Sequence, residues 1–148
     1  MFKTICVGYD GSAPSDTAVQ MACDLAAKYD SEVHIIHTPL PETVTFALGA
    51  VAGYHVATTL PSTEETTKAA TAMLARASEV ASQSGWQKIV THMGEGDPAQ
   101  ALIDYANSVG SDLIITGRRG LGNLSAMMLG STSQTVARLA DCAHLTVK

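Results

Sequence analysis

Five short apolar runs, separated by helix-length amphipathic patterns, constrain this chain more than any other feature of its sequence. They are Thr4 to Tyr9 (TICVGY), Glu32 to Thr38 (EVHIIHT), Trp86 to Met93, Leu113 to Thr116 and His144 to Val147. Runs of this length, rich in β-branched residues and stopped by turn residues, read as buried strands. Strand and helix alternate, and the separations suit right-handed crossovers. The pattern therefore predicts an α/β fold with a five-stranded parallel sheet and helices on both faces.

The intervening segments carry helix signals. Pro14 falls in the first turn of a helix whose apolar stripe is Ala18, Met21, Ala22, Leu25 and Tyr29, ended by Asp30-Ser31. Ser62-x-x-Glu65 is a capping box opening a helix with Ala70, Met73, Leu74, Ala77, Val80 and Ala81 on one face, closed by Gly85. Asp97-Pro98-x-Gln100 supplies cap, first-turn proline and box acceptor for a helix buried along Leu102, Tyr105, Ala106 and Val109, with Gly110 as its stop. A last helix runs through Val136, Leu139 and Ala140.

The segment from Pro39 to Leu60 is different: long, rich in Ala, Gly, Val and Thr, with Glu42 as its only charged residue. Its uncharged part, 43–63, raises the question of a membrane span. Five threonines, two glycines, Tyr54 and His55 make it a poor one, and a span inside a compact α/β chain would break the sheet. Two readings stay open. Either Val44, Phe46, Leu48, Val51 and Val56 are covered by a partner or ligand, or the loop folds onto its own domain.

At 148 residues, 46% apolar and 16% charged, the sequence fits one domain with a sizeable core over residues 1–148. Nine Lys and Arg against fourteen Asp and Glu give a net charge of −5, which repels nucleic acid. The only adjacent basic pair is Arg118-Arg119, too little for a polyanion and enough for one nucleotide. Cys6, Cys23 and Cys142 have no metal or CxxC spacing and suit reduced, buried thiols. With no leader pattern after Met1, the expected location is cytoplasmic. His34 and His37 fall short of a metal set and are expected to be packing or surface residues.

Leu113 to Ala140 carries the functional signal. Gly117, Gly120 and Gly130 permit positive φ and close backbone approach, so consecutive N–H groups can turn around an anion. Ser131 with Gln134 has capping-box spacing, and a helix starting there points its free N–H groups at the loop. Arg118 and Arg119 add charge that can close over phosphates. In parallel sheets, ligands sit beyond the carboxyl ends of the strands where strand order reverses. The Asp10 turn and the Gly117 loop both follow strands, so they face one crevice if strands one and four are neighbours.

The run Gly117-x-x-Gly120-x9-Gly130-Ser131 resembles the G-2x-G-9x-G-(S/T) motif of the ATP-binding branch of the universal stress protein family. The likeness extends over nearly the whole chain. Val7-Gly8-Tyr9-Asp10-Gly11-Ser12 looks like the family's opening strand and turn. Gly94 to Ala106 and Ser111 to Gly117 are similar to two further family segments. The resemblance implies a Rossmann-like (adenine nucleotide alpha hydrolase-like) sheet of order 3-2-1-4-5 and a homodimer, or a higher oligomer built from it. It implies that Asp10 contacts the ribose, or a Mg2+ on the phosphates, with Gly8 beside it; Asp10 as a helix cap is the competing reading. Thr38 falls where the family's backbone reads adenine. Thr116, Gly117, Arg119 and Gly120 would wrap the triphosphate, with Gly130, Ser131, Thr132 and Ser133 holding it from the helix side. The sequence departs from the family before its last strand, with Cys142-Ala143-His144-Leu145 where Cys-Pro-Val-Leu is usual, which bears on the geometry of strand five.

The function expected from this resemblance is an ATP-binding regulator or sensor for a partner protein, such as a transport or signalling system, with little or no hydrolysis. There is no GxxxxGK(S/T) loop and no GxSxG elbow. The alternatives are a nucleotide-independent dimerisation module and a slow ATPase. A fifth strand at the sheet edge would need pairing with another chain, which suits a two-fold dimer.

Overall fold

The computed structural model describes residues 1–40, 44, 62–121 and 129–148. Along the chain run β1 (Thr4–Gly8), α1 (Ala13–Tyr29), β2 (Glu32–His37), α2 (Thr63–Gln83), β3 (Ile89–Met93), α3 (Pro98–Ser108), β4 (Leu113–Gly117), α4 (Ser131–Leu139) and β5 (Ala143–Val147). The strands form one sheet of order β3-β2-β1-β4-β5, and every pair in it is parallel. The strand order reverses between β1 and β4, where Gly8 is paired with Thr116.

Strand pleating divides the core in two, because successive side chains point to opposite faces. Ile5, Val7, Val33, Ile35, Leu113 and Ile115 pack on one face against α1 and α2. Cys6, Ile36 and Ile114 pack on the other against α3 and α4, through Leu102, Ile103, Ala106 and Val136. Each fully buried Ile or Val contributes about 1.5–3 kcal/mol through burial, so the three central strands anchor the fold.

The helix boundaries follow from their caps. Ser62 and Glu65 form the reciprocal capping box of α2. Asp97 caps α3, but Gln100 bonds Asp104 instead of returning to the cap. The α1 stripe is rotated from the sequence expectation. Val19, Cys23 and Ala26 join Ala18 and Ala22 in the core, whereas Met21 is exposed and Leu25 and Tyr29 are half-buried. On α3 the buried partners of Leu102 and Ala106 are Ala99 and Ile103, with Tyr105 and Val109 half-buried. Leu139 is 51% exposed, leaving Val136 as the buried apolar anchor of α4. On α1 the sheet-facing side buries small residues close to the backbone and leaves longer ones at the rim.

Strand β3 starts at Ile89, three residues later than its apolar run suggests. Strand β5 pairs with β4 from Ala143 to Val147 despite the Ala143-His144 departure, because its parallel register needs only backbone. Of the 39–60 segment, Pro39, Leu40 and Val44 are described. Val44 is buried in the core of its own chain, and Phe46, Leu48, Val51 and Val56 lie outside the described residues. The stretch 43–63 likewise lies almost wholly outside them. Among the described residues no helix is long and apolar enough to cross a membrane.

Polar ties fix the carboxyl end of β1. Tyr9 donates its hydroxyl to Asp16 (2.7 Å), whose other oxygen accepts from Arg76 on α2 (2.6 Å). Burial, then Asp16, pushes the Tyr9 phenol up. His37, buried, bonds the Tyr9 carbonyl through Nδ1 (2.8 Å), which requires that nitrogen to carry the proton. His34 bridges Tyr105 and Glu32.

Burial holds His37 and His144 below the ordinary histidine value of 6.5. A group whose folded pKa is depressed favours folding above its unfolded pKa, and that contribution is lost as pH falls through the folded value. Stability in urea should therefore decline from pH 6.5 downward, before carboxylates titrate at about pH 4. In His37→Asn, which keeps a donor near the Nδ1 position, the slope between pH 6.5 and about 5 should shrink. An unchanged slope would mean that His37 is not the titrating group.

Candidate functional site

Beyond the carboxyl ends of β1 and β4 lies a cavity of about 300 Å3. Its floor is Gly8 and Thr116 at the paired strand ends, and the turn of Asp10 forms one wall. Gly117, Arg119, Gly120 and Leu121 form the facing wall, closed by Gly130, Ser131, Thr132 and Ser133 at the start of α4. Thr38, buried at the end of β2, lies on the far side. All eleven residues singled out from the sequence border this one space.

The start of α4 differs from the sequence expectation in a way that matters. The N-cap is Gly130 and not Ser131, and no side chain caps the helix. Gln134 places its side-chain amide on the Leu129 carbonyl, so the anticipated capping box is not formed. Gln134 N–H closes the first helical turn onto Gly130 O (2.9 Å). The N–H groups of Ser131, Thr132 and Ser133 thus have no intrahelical acceptor and sit at the positive end of the helix dipole.

The glycines meet one half of the expectation. None of Gly117, Gly120 and Gly130 has positive φ. What two of them supply is close approach. A Cβ at Gly117 would lie 2.8 Å from Pro14 Cβ and 2.9 Å from Pro14 C. A Cβ at Gly120 would overlap the Asp10 carboxylate. At Gly130 an added Cβ would meet only ordinary contacts, at 3.5 Å and beyond. The packing of the described residues therefore does not demand glycine at 130.

Asp10 is not the cap of α1; Ser12 is, accepting from Ser15 N–H. Asp10 holds that cap, its Oδ1 accepting from Ser12 N–H (3.0 Å) and Ser12 Oγ (2.5 Å). Its Oδ2 accepts from Leu121 N–H (3.1 Å), so one carboxylate ties the β1 turn to the glycine loop across the crevice.

Two hydroxyls in the wall brace the loop from below. Ser133 Oγ donates to Gly117 O (2.7 Å), and Thr116 Oγ1 lies 2.8 Å from both Ser133 Oγ and His144 Nε2. Since the Ser133 proton is directed at Gly117, Thr116 donates to Ser133 and accepts from His144, which places the imidazole proton on Nε2. His144, at the position where the sequence departs from the family pattern, thereby joins the support of the loop.

Sequence reasoning missed the apolar end. Ile36, Leu40, Pro98 and Leu102 also line the cavity, as do Tyr9 and Ser15. Leu102 and Pro98 had been read only as helix-packing and helix-start residues. Their signal was topological: α3 leaves β3 on the same edge of the sheet as the glycine loop. Arg118 does not border this cavity. Its backbone N–H bonds Val147 O (2.5 Å), and its side chain lines a separate concavity. Among the described residues no group of three His, Cys, Asp or Glu is arranged to hold a metal ion.

The cavity thus has a donor-rich, cationic end and an apolar end, in a parallel sheet at its point of reversal. Comparison with known proteins agrees with this architecture. The profile described as the Universal stress protein family matches residues 1–148. Universal stress protein YxiE of Bacillus subtilis (strain 168) is 32% identical over 151 residues, covering 100% of both chains. The universal stress protein in QAH/OAS sulfhydrylase 3'region of Thermus aquaticus is 32% identical over 154 residues, again covering 100% of both. A universal stress protein crystallised in complex with cAMP superposes with a TM-score of 0.72 at 29% identity, covering 99% of this chain and 97% of the other. The universal stress protein from Archaeoglobus fulgidus in complex with dAMP shares the fold at 19% identity, with a TM-score of 0.71 and 99% and 98% coverage. By its sequence over its whole length and by its fold, the chain belongs to the universal stress protein family.

Proposed function

We propose that this protein binds ATP at the β1/β4 crevice and acts as a nucleotide-dependent regulator of a partner protein, with little or no hydrolysis. The observation that carries the reading is the uncapped start of α4. Ser131, Thr132 and Ser133, whose amides have no acceptor among the described residues, border the same cavity as Arg119 and the apolar residues Ile36, Leu40, Pro98 and Leu102. Helix N-termini of this kind bind phosphate, and Ile36, Leu40, Pro98 and Leu102 offer a base-sized apolar surface. The G-2x-G-9x-G-(S/T) spacing and the cAMP and dAMP bound by structural neighbours support an adenine nucleotide.

Among the described residues Asp10 is the one carboxylate bordering the cavity. A Mg2+ held mainly by phosphates and water needs few protein ligands, and Asp10 Oδ2, with one donor on it, can supply one. The same engagement speaks for slow chemistry. A carboxylate already accepting three hydrogen bonds is a poor base for activating water. A regulator needs only different affinities for its nucleotide states, and a partner that distinguishes them.

Self-association belongs to the same proposal. Strand β5 is an edge of the sheet, and its unpaired backbone groups suit pairing with a second copy about a two-fold axis. Three unpaired thiols, two of them buried, suit a cytoplasmic setting.

Native mass spectrometry of the purified protein should give a dimer carrying adenine nucleotide, or one that takes up added ATP. A monomer would remove the dimer, and a chain that stays ligand-free in excess ATP would remove the nucleotide. A second test separates site from scaffold. Gly130→Asp gives α4 the side-chain cap it lacks, worth about 0.5–2 kcal/mol, and sets a carboxylate where the phosphate would lie. Thermal stability should hold or rise while ATP affinity falls by about tenfold or more. Unchanged affinity would contradict phosphate binding at α4.

A further inference from the structure

On the outer side of Arg119 lies a second concavity of about 330 Å3, bordered by Pro14, Arg118, Arg119 and Lys148. Three of the nine basic residues of a chain with net charge −5 meet there. Both arginines are half-buried. The ion pairs of the described residues involve His34, Arg76 and Lys88, so neither arginine nor Lys148 is neutralised by a described carboxylate. Like charges gathered on a partly desolvated surface repel one another and disfavour the empty protein.

The backbone holds this arrangement. Arg118 N–H bonds Val147 O (2.5 Å) at the end of β5, and Arg118 O accepts from Gly130 N–H (2.8 Å) at the cap of α4. The root of the side chain is thus tied to two elements independently of its guanidinium. Among the described residues of the wall Pro14 is the only apolar one, and the other three are cationic. Arg119 borders both concavities and stands between them.

We propose that this outer concavity is a second phosphoryl-binding site, in which Arg118, Arg119 and Lys148 hold a phosphate dianion. Planar guanidinium groups match phosphate oxygens in pairs, and the ammonium adds a third positive charge. The phosphoryl group has two available sources. One is the distal end of a nucleotide whose base and first phosphate occupy the inner cavity, which rests on the nucleotide reading above. The other is free phosphate, which does not.

The test is calorimetric titration at low salt with AMP, ATP and inorganic phosphate, using the wild type and an Arg118→Gln/Lys148→Gln double variant. Arg119 is left in place because it borders the inner cavity. The main-chain bonds of residue 118 survive the change, and removing crowded positive charge should leave the melting temperature equal or higher. If the distal phosphate is the source, ATP binds wild type about tenfold tighter than AMP, and that gap narrows to about threefold or less in the variant with AMP unchanged. If free phosphate is the source, it binds wild type in the presence of AMP, and the variant loses about tenfold or more. A variant matching wild type for both ATP and phosphate overturns the proposal, as does a wild type that binds neither. Wild type that ignores both nucleotides, with phosphate binding lost in the variant, would refute the nucleotide reading and leave the outer site standing.

Discussion

Three backbone N–H groups at the start of α4, left without an acceptor among the described residues at the reversal of a parallel sheet, are the constraint to which the rest of the site answers. Unsatisfied donors at a helix end are tolerated when water or a ligand meets them. Here they face a cavity walled by a cationic loop and closed at its far side by apolar side chains. The order β3-β2-β1-β4-β5 creates that cavity, because β1 and β4 send their following segments to opposite faces and leave a gap between them.

Much of the remaining detail serves to hold the loop after β4 in place. Asp10 reaches across from the β1 turn to Leu121, and Gly120 leaves the room that its carboxylate needs. Pro14 of α1 packs against Gly117, so the first helix and the fourth strand close the wall from outside. Beneath, His144, Thr116 and Ser133 form a directed chain of hydrogen bonds ending on Gly117 O. Gly130 is the contrasting case. Nothing in the packing of the described residues requires it, and its lack of a side chain leaves room beside the amides of α4.

The fold was largely legible because its signals are local and repeated: β-branched runs, caps at Ser62 and Asp97, and glycine stops at 85 and 110. The eleven residues of the crevice were legible as a set through the family resemblance, while the residues alone pointed to the glycine loop, the helix start after it and the Asp10 turn. Their individual roles were less so. Ser131-x-x-Gln134 has capping-box spacing, yet the helix begins one residue earlier than that box needs, and one residue is enough to leave its amides without the side-chain cap. Glycine was read at 117, 120 and 130 as allowing both positive φ and close approach; the structure uses close approach at 117 and 120 and positive φ at none of them, a distinction that no spacing encodes. The apolar half of the cavity, from Ile36, Leu40, Pro98 and Leu102, was hidden because the packing of α3 on the sheet, not chain order, brings those residues together.

The most direct measurement is a titration of adenine nucleotide followed by backbone amide NMR. If the free amides of α4 receive the phosphate, the largest shifts fall on Ser131, Thr132 and Ser133 with the neighbouring Gly120, and they are absent when adenosine replaces AMP. Shifts that avoid these amides, or that are the same for adenosine and AMP, would contradict phosphate recognition at the start of α4.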